Sequence, residues 1–208
     1  MSDTFLQVWT DAAGGVYGAI GPGLGVVYPM TNSYAYVPWP IWMNNGECNS
    51  AGIRFKEKLT VLEILGPLVA LCVAGEAAMS TTLVAWVDNI GAVMAYAKGY
   101  SLECPYTDTI IRAIYGVARG MGVQIRIRWI RRCSDKGSWL ADQLSKGTKE
   151  GMKEFMRGFP TRTRNGPAEL PPSLLAWVRD PVVDDTLSAK ILSELKPMMN
   201  AIVLEEDD

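Results

Sequence analysis

Histidine is absent from this chain of 208 residues, and cysteine is scarce. Without histidine there is no Ser-His-Asp or Cys-His nucleophilic site and no acid–base catalysis by imidazole. The four cysteines form no CxxC pair, so zinc fingers are excluded as well. Thiols spread in this way are typical of a reduced, intracellular protein. Any chemistry of this chain must therefore depend on carboxylates.

The sequence also lacks a segment that would enter a membrane. No uninterrupted apolar run reaches the roughly 18 residues that a transmembrane helix needs, and the candidate run 64–74 contains Gly66 and Pro67. The N-terminus shows no basic region followed by an apolar stretch, so we expect no signal peptide. These absences predict an intracellular protein, of the cytoplasm or the nucleus, with no membrane partner.

Charge is distributed unevenly along the chain. Residues 1–111 carry 4 basic and 9 acidic side chains, residues 112–164 carry 13 and 4, and residues 165–208 carry 3 and 9. The net charge of -2 therefore hides a middle segment with an excess of positive charge. Such a segment is a candidate for binding nucleic-acid phosphates. An equally open interpretation is that its arginines form a solvated surface that protects a strand edge.

The hydrophobic pattern predicts an α/β domain with enough apolar residues, 49% of the chain, for a substantial core. The predicted strands cover 4–11, 16–22, 24–30, 83–88 and 123–130. The predicted helices cover about 58–79, 89–98, 107–120 and 137–147, and the segment 31–52 is expected to be irregular. Three meandering strands followed by alternating units indicate a mixed sheet, antiparallel and then parallel, flanked by helices.

The composition changes after residue 147. The stretch 158–173 contains four prolines and two glycines, which predicts an extended connection. It is followed by two predicted amphipathic helices, at 173–180 and 184–196. We therefore expect a core domain over residues 1–150, and a Pro-rich connection with a helical C-terminal extension over residues 151–208.

Four carboxylates stand where this architecture brings them together. They are Asp11 at the end of the first strand, Glu63 on the first helix, Asp88 at the end of strand 83–88 and Asp142 on helix 137–147. An acid at the end of an apolar strand lies in the crevice at the edge of the sheet. For any one of these residues a cap or turn role is the simpler interpretation, and only the set of four points to a site.

Clustered carboxylates repel one another and raise one another's pKa values unless cations neutralise them. Oxygen ligands suit Mg²⁺ or Mn²⁺, and a pair of such ions is a known clamp for phosphoryl displacement. The sequence therefore predicts a site for two divalent cations, held by the four carboxylates.

The motifs around these acids resemble one family. WTDAAGGVYGA is similar to the opening of ribonuclease H-like domains, LTVLEILGPLVAL to their first helix, WVDNIGAV to the segment of their second Asp, and WLADQLSK to their last helix. The likeness spans about residues 5–147. The WVDN form and the ADQLSKG ending look closest to ribonuclease H domains of retroelement reverse transcriptases. The segments LPPSLLAWVRDP and DDTLSAKILSEL are similar to the sequences that come after such domains in retrotransposon polyproteins.

The resemblance implies an endonuclease that cleaves the RNA strand of RNA–DNA hybrids by two-metal-ion hydrolysis. It implies that Asp11 bridges both ions and that Asp142 holds the second ion. Glu63 and Asp88 then complete the side of the attacking water. Many family members carry a histidine in the loop before the last helix, and this chain has none.

The resemblance and the positive charge together also predict the residues that contact nucleic acid. These are Thr60, Asn89, Arg128, Arg131, Arg132 and Ser138. A helix cap is an equally open role for Asn89. The expected partners are the RNA–DNA hybrid and a polymerase domain of the same polyprotein. Three alternatives stay open: a ribonuclease H-like module that binds nucleic acid or a partner without catalysis, another metal nuclease of the superfamily, and a plain RNA-binding module.

Overall fold

A computed structural model of the chain describes residues 5–14, 21–55, 59–101, 104–159 and 168–203. Its strands are β1 (Phe5–Ala12), β2 (Gly23–Tyr28), β3 (Ser33–Pro38), β4 (Thr82–Val87) and β5 (Gln124–Trp129). Its helices are α1 (Ile41–Asn44), α2 (Leu59–Ala74), α3 (Ile90–Lys98), α4 (Pro105–Met121), α5 (Lys136–Ser145), α6 (Lys149–Gly158), α7 (Pro172–Arg179) and α8 (Leu187–Val203). Within these described ranges, no helix is long and apolar enough to cross a membrane.

The strands form one mixed sheet in the order β3-β2-β1-β4-β5. β1 pairs with β2, and β2 with β3, in antiparallel directions. β1 pairs with β4, and β4 with β5, in parallel directions. The predicted α/β class is therefore confirmed, with three antiparallel strands followed by parallel strands and with flanking helices, in a ribonuclease H-like arrangement.

The sheet carries a hydrophobic core on each face, because successive side chains of a strand point to opposite sides. On β2, Val26 belongs to a large core that includes residues of α2 and α4. Its neighbour Val27 belongs to a smaller core built with α5 and α6. Both valines are fully buried. The two helical layers therefore fix the sheet between them.

The third antiparallel strand is not where the sequence pattern placed it. β3 lies inside the segment 31–52, which was predicted to be irregular, and that prediction is wrong. Tyr34, Ala35 and Val37 are buried on β3, and Pro38 ends it at the edge of the sheet, where a missing N–H is tolerated. Most of the predicted strand 16–22 lies outside the described residues, and Gly21 and Pro22 are not part of a strand.

Helix α2 brings a carboxylate close to the sheet. The helix continues through Pro67 and is followed by a 3-10 helix, Gly75–Ala78. Gly66 faces Thr10 of β1, where a Cβ would lie 2.6 Å from the threonine side chain. The absence of a side chain at Gly66 therefore allows α2 to approach β1, and Glu63 lies about one turn earlier on this helix.

Helix α6 was not predicted, because most of its residues are charged or glycine. Its hydroxyl cap, Thr148, accepts a hydrogen bond from the main-chain N–H of Gly151. Phe155 is fully buried in the smaller core, with its ring stacked on Phe159 at a centroid distance of 5.0 Å. The boundary predicted near residue 150 thus falls at the start of α6, and part of the predicted connection, 160–167, lies outside the described residues.

The two predicted C-terminal helices are present as α7 and α8, and they pack into the larger core. Gly116 and Gly120 of α4 face α8, since a Cβ at Gly120 would lie 2.5 Å from Leu192. The loop after α7 is also fixed to the body of the protein. Trp42 Nε1 donates to the carbonyl of Arg179 at 2.8 Å, and Asn49 Nδ2 donates to the carbonyl of Pro181 at 2.8 Å.

Candidate active site

A cavity of about 600 Å³ opens at the carboxyl ends of β1 and β4. All four predicted carboxylates line it, together with Asn89, Arg132, Ser145 and Lys146. Asp11 lies near the end of β1, and Asp88 directly follows β4. Because these two strands are parallel neighbours, their carboxyl ends meet at the same edge of the sheet.

Three of the four carboxylates form a tight group. Oxygen atoms of Asp11, Glu63 and Asp88 lie within 4.8 Å of one another. Glu63 is only 2% exposed, and its buried Oε2 has no hydrogen-bond partner among the residues that the structure describes. A buried hydrogen-bond acceptor without a partner lowers the stability of the fold unless a bound ligand or ion interacts with it. The unpartnered oxygen of Glu63 therefore points to a ligand that binds at this group.

Asp142 lines the same cavity but does not belong to the group of three. It lies on α5, where its Oδ2 accepts from Lys146 Nζ at 2.6 Å and from Gln143 Nε2 at 2.9 Å. One turn after Asp142, the hydroxyl of Ser145 donates to Asp11 Oδ2. This hydrogen bond joins α5 to β1, so that the fourth carboxylate is held at the edge of the group.

Burial and crowding set the protonation of the group. Desolvation by burial, aided by the charges of Asp88 and Asp142, raises the pKa of Asp11 from 3.8 to about 6. The Ser145 hydrogen bond and the Arg132 charge oppose this shift. Desolvation and the neighbouring charges of Asp11 and Asp88 raise the pKa of Glu63 well above its usual value. The site therefore resists carrying its full negative charge on its own.

Arg132 lies on the carboxylates themselves. Its Nε donates to Asp88 Oδ2 at 2.5 Å, and its Nη2 lies 3.4 Å from Asp11 Oδ1. The side chain is 59% exposed. The hydrogen bond to Asp88 and the surrounding carboxylates raise the pKa of Arg132, so that the guanidinium stays charged. The sequence predicted Arg132 as a phosphate contact, and the structure brings it into the group of acids.

The other predicted nucleic-acid contacts do not all meet at this cavity. Asn89 lines it, and the Asn89 side chain also caps α3 by accepting from Ala92 N at 3.0 Å. Thr60 lies on the wall of a second cavity, of about 290 Å³, with residues of α3. Arg128 and Arg131 are exposed on and after β5. Ser138 is buried, and its side chain forms a capping box with Asp135 at the start of α5.

Sequence reasoning missed Gln143, Ser145 and Lys146 as partners of the acids. Ser145 and Lys146 follow Asp142 by three and four residues, the spacing that places side chains on one helix face. That spacing was a usable signal for Lys146, which pairs with Asp142 on the same helix. No local signal links Ser145 to Asp11, because the contact joins residues far apart in sequence.

Comparison of the chain with protein-family models, with curated proteins and with solved structures finds no match. Family membership is therefore not shown by similarity. The buried acids, their two cationic neighbours and the open cavity are the observations on which a functional interpretation depends.

The stability of the metal-free protein is expected to fall as pH rises from about 4 to above 6. The pKa of Asp11 is 3.8 in an unfolded chain and about 6 in the folded one, so the neutral acid stabilises the fold at low pH and ionisation removes that stabilisation. The expected loss is at most about 3 kcal/mol. Urea unfolding with a chelator, from pH 4 to 8, should therefore show a growing stability advantage of Asp11→Asn over the natural chain. Parallel curves for the two proteins would contradict the shift.

The start of α5 depends on a close contact between Gly137 and Trp9. A Cβ at Gly137 would lie 2.3 Å from the indole ring, and Trp9 Nε1 donates to Asp135 Oδ2 at 3.0 Å. We expect Gly137→Ala to destabilise the protein by about 1–3 kcal/mol in urea unfolding, since the ring must move. The control is a cycle with Trp9→Ala, which removes the ring atoms that a Cβ at Gly137 would meet, so Gly137→Ala should cost much less in that background. Additive effects of the two changes would rule out the contact as the cause.

Proposed function

We propose that this protein is a ribonuclease H-type endonuclease that cleaves the RNA strand of RNA–DNA hybrids with the help of divalent cations. The observation that carries the proposal is the group formed by Asp11, Glu63 and Asp88, with an unpartnered buried oxygen on Glu63. An apolar occupant would leave this oxygen unsatisfied, and a water molecule would satisfy it but leave the repulsion between the carboxylates. A cation answers both needs.

The balance of charges in the cavity indicates that a divalent cation, and not the protein's own basic side chains alone, neutralises the carboxylates. Among the residues that the structure describes, four carboxyl groups and two cationic groups, Arg132 and Lys146, line the cavity. With every group ionised, two negative charges remain uncompensated in a largely buried site. Hard oxygen ligands of this kind suit Mg²⁺ or Mn²⁺. The donor set therefore fits the two ions expected from the sequence.

Asp11, Glu63 and Asp88 would hold one cation, and Asp142 would contribute to a second. Bound cations of this kind lower the pKa of water and stabilise charge on phosphate oxygens. The chain itself supplies orientation: Ser145 fixes one oxygen of Asp11, and Gln143 and Lys146 fix Asp142. The raised pKa values of Asp11 and Glu63 mean that cation binding is accompanied by proton release from these acids.

A polyanionic substrate is favoured by the charges outside the cavity. Residues 112–164 include 13 basic and 4 acidic side chains, and Arg128 and Arg131 are exposed close in sequence to Arg132. Phosphate groups are the ligands that such arginines bind. The resemblance of the motifs is the basis for three further parts of the proposal. These are an RNA–DNA hybrid as substrate, a retroelement origin, and a polymerase domain of the same polyprotein as partner.

The proposal is tested with a labelled RNA–DNA hybrid in Mg²⁺, in Mn²⁺ and in EDTA, beside RNA and DNA duplexes. We expect cleavage of the RNA strand of the hybrid alone, only with a cation, leaving 5′-phosphate and 3′-hydroxyl ends. Asp88→Asn, purified in the same way, should be inactive. Its inactivity would exclude a contaminating nuclease as the source of cleavage. Hybrid binding without cleavage under every condition would favour the non-catalytic nucleic-acid-binding module instead.

A further inference from the structure

Both oxygens of Asp11 have partners, one of them buried and the other exposed. Oδ2 accepts from Ser145, which is fully buried, and Oδ1 faces the guanidinium of Arg132 at 3.4 Å. Arg132 also holds Asp88 Oδ2 at 2.5 Å. A cation that binds this pair of aspartates needs those oxygens, and its charge repels the guanidinium. Arg132 is the partner that can leave, since 59% of its side chain is already exposed.

The loop that carries Arg132 is fixed at both ends. Before it, Trp129 Nε1 donates to the carbonyl of Asp88 at 3.1 Å, and the Ile130 N–H donates to Val87 at 3.0 Å. After it, Asp135 caps α5 and accepts from Trp9. The turn between them holds Cys133 at a φ of +52°, a conformation that costs a non-glycine residue free energy. The placement of Arg132 is therefore a built feature of the fold.

From this geometry we infer that Arg132 is a displaceable counter-ion: it holds Asp11 and Asp88 together in the cation-free protein and competes with the divalent cation for them. The inference rests on the proposed function, because it takes the group of three acids to be the cation site. It adds a regulatory consequence. The competition keeps cation affinity lower than the acids alone would give, and binding of the cation frees a guanidinium at the mouth of the cavity.

The test measures Mn²⁺ binding to the full chain by calorimetry at pH 8, and melting temperature in chelator and in saturating Mn²⁺. We expect Arg132→Gln to bind Mn²⁺ about tenfold more tightly than the natural chain. In chelator it should melt at a lower temperature, because the repulsion between the acids is no longer compensated, and saturating Mn²⁺ should narrow that gap. Arg132→Lys keeps the positive charge but loses the planar guanidinium that contacts both aspartates. Its Mn²⁺ affinity should therefore lie between those of the natural chain and Arg132→Gln. Arg131→Gln, the same loss of charge one residue away, should bind Mn²⁺ as the natural chain does.

The outcomes separate the two proposals. If the natural chain binds Mn²⁺ and Asp11→Asn does not, the cation site is supported. If Arg132→Gln then binds Mn²⁺ no more tightly than the natural chain, the counter-ion role is overturned while the cation site is retained. Equal tightening in Arg131→Gln also overturns it, because the effect would then be one of net charge. Failure of every protein to bind Mn²⁺ overturns the cation site and the counter-ion role together.

Discussion

Replacing Asp11 with Asn is expected to lower kcat/KM for hybrid cleavage by on the order of 10³-fold or more, while the fold survives. The amide keeps the shape of the side chain and can still accept from Ser145, but it removes the negative charge of one of the three acids of the group. A lost contribution of several kcal/mol from a cation-binding carboxylate corresponds to an effect of this size. Single-turnover cleavage of a labelled hybrid in saturating Mg²⁺ measures it, with circular dichroism to show that the fold is retained.

The matched control is Asp185→Asn. The Asp185 side chain is 71% exposed and pairs with Arg112, an ion pair of the kind that contributes little at a surface. The change in net charge is the same, so cleavage should be unaffected. Cleavage by Asp11→Asn at the natural rate, with equal protein concentration, would refute the assignment of the site.

Removal of residues 168–208 is expected to prevent folding altogether. The extension contributes Leu174, Trp177, Leu187, Ile191 and Leu195 to the larger core, each no more than 5% exposed. Truncating a single buried aliphatic side chain to Ala costs about 2–5 kcal/mol, and a whole domain is stable by only about 5–15 kcal/mol. A chain that ends at residue 167 should therefore be insoluble or unfolded, as judged by circular dichroism and by urea titration.

A single substitution gives the quantitative form of this prediction. Ile191→Ala should destabilise the protein by about 3 kcal/mol in urea unfolding, since the Ile191 side chain on α8 is fully buried in the larger core. Val183→Ala is the control, because Val183 is 54% exposed and its loss should cost less than about 0.5 kcal/mol. A truncated chain that folds and has the natural melting temperature would show instead that the extension is an appendage.

The elements that carry the acids were predictable because each has a strong local pattern. The run 83–88 is apolar throughout, so β4 and the acid at its end, Asp88, follow from the sequence. The helical spacing around Glu63 likewise predicts α2, although a kink or a break was expected at Pro67, and in the structure the helix continues through that residue. The parallel pairing of β1 and β4 brings Asp11 and Asp88 together, in the mixed sheet that the order of elements indicated. Glu63 joins them from α2.

The missed elements have weak patterns that only tertiary contacts stabilise. β3 lies at the sheet edge beside turns and prolines, and pairing with β2 makes it a strand. α6 has few apolar residues, and Phe155 is fully buried because it packs against residues of the sheet and of α5. The position of Arg132 could not be predicted either, since its contacts with Asp11 and Asp88 span more than 40 residues.

The four acids also come from positions 11, 63, 88 and 142, and the core beneath them includes residues as late as Leu195. Contacts between such distant positions form late, because the chain between them must first be ordered. A growing polypeptide that has left the ribosome only as far as α5 has all four acids but lacks the helices that complete the core. The group of acids is therefore expected to assemble only after α7 and α8 have left the ribosome and packed into the core.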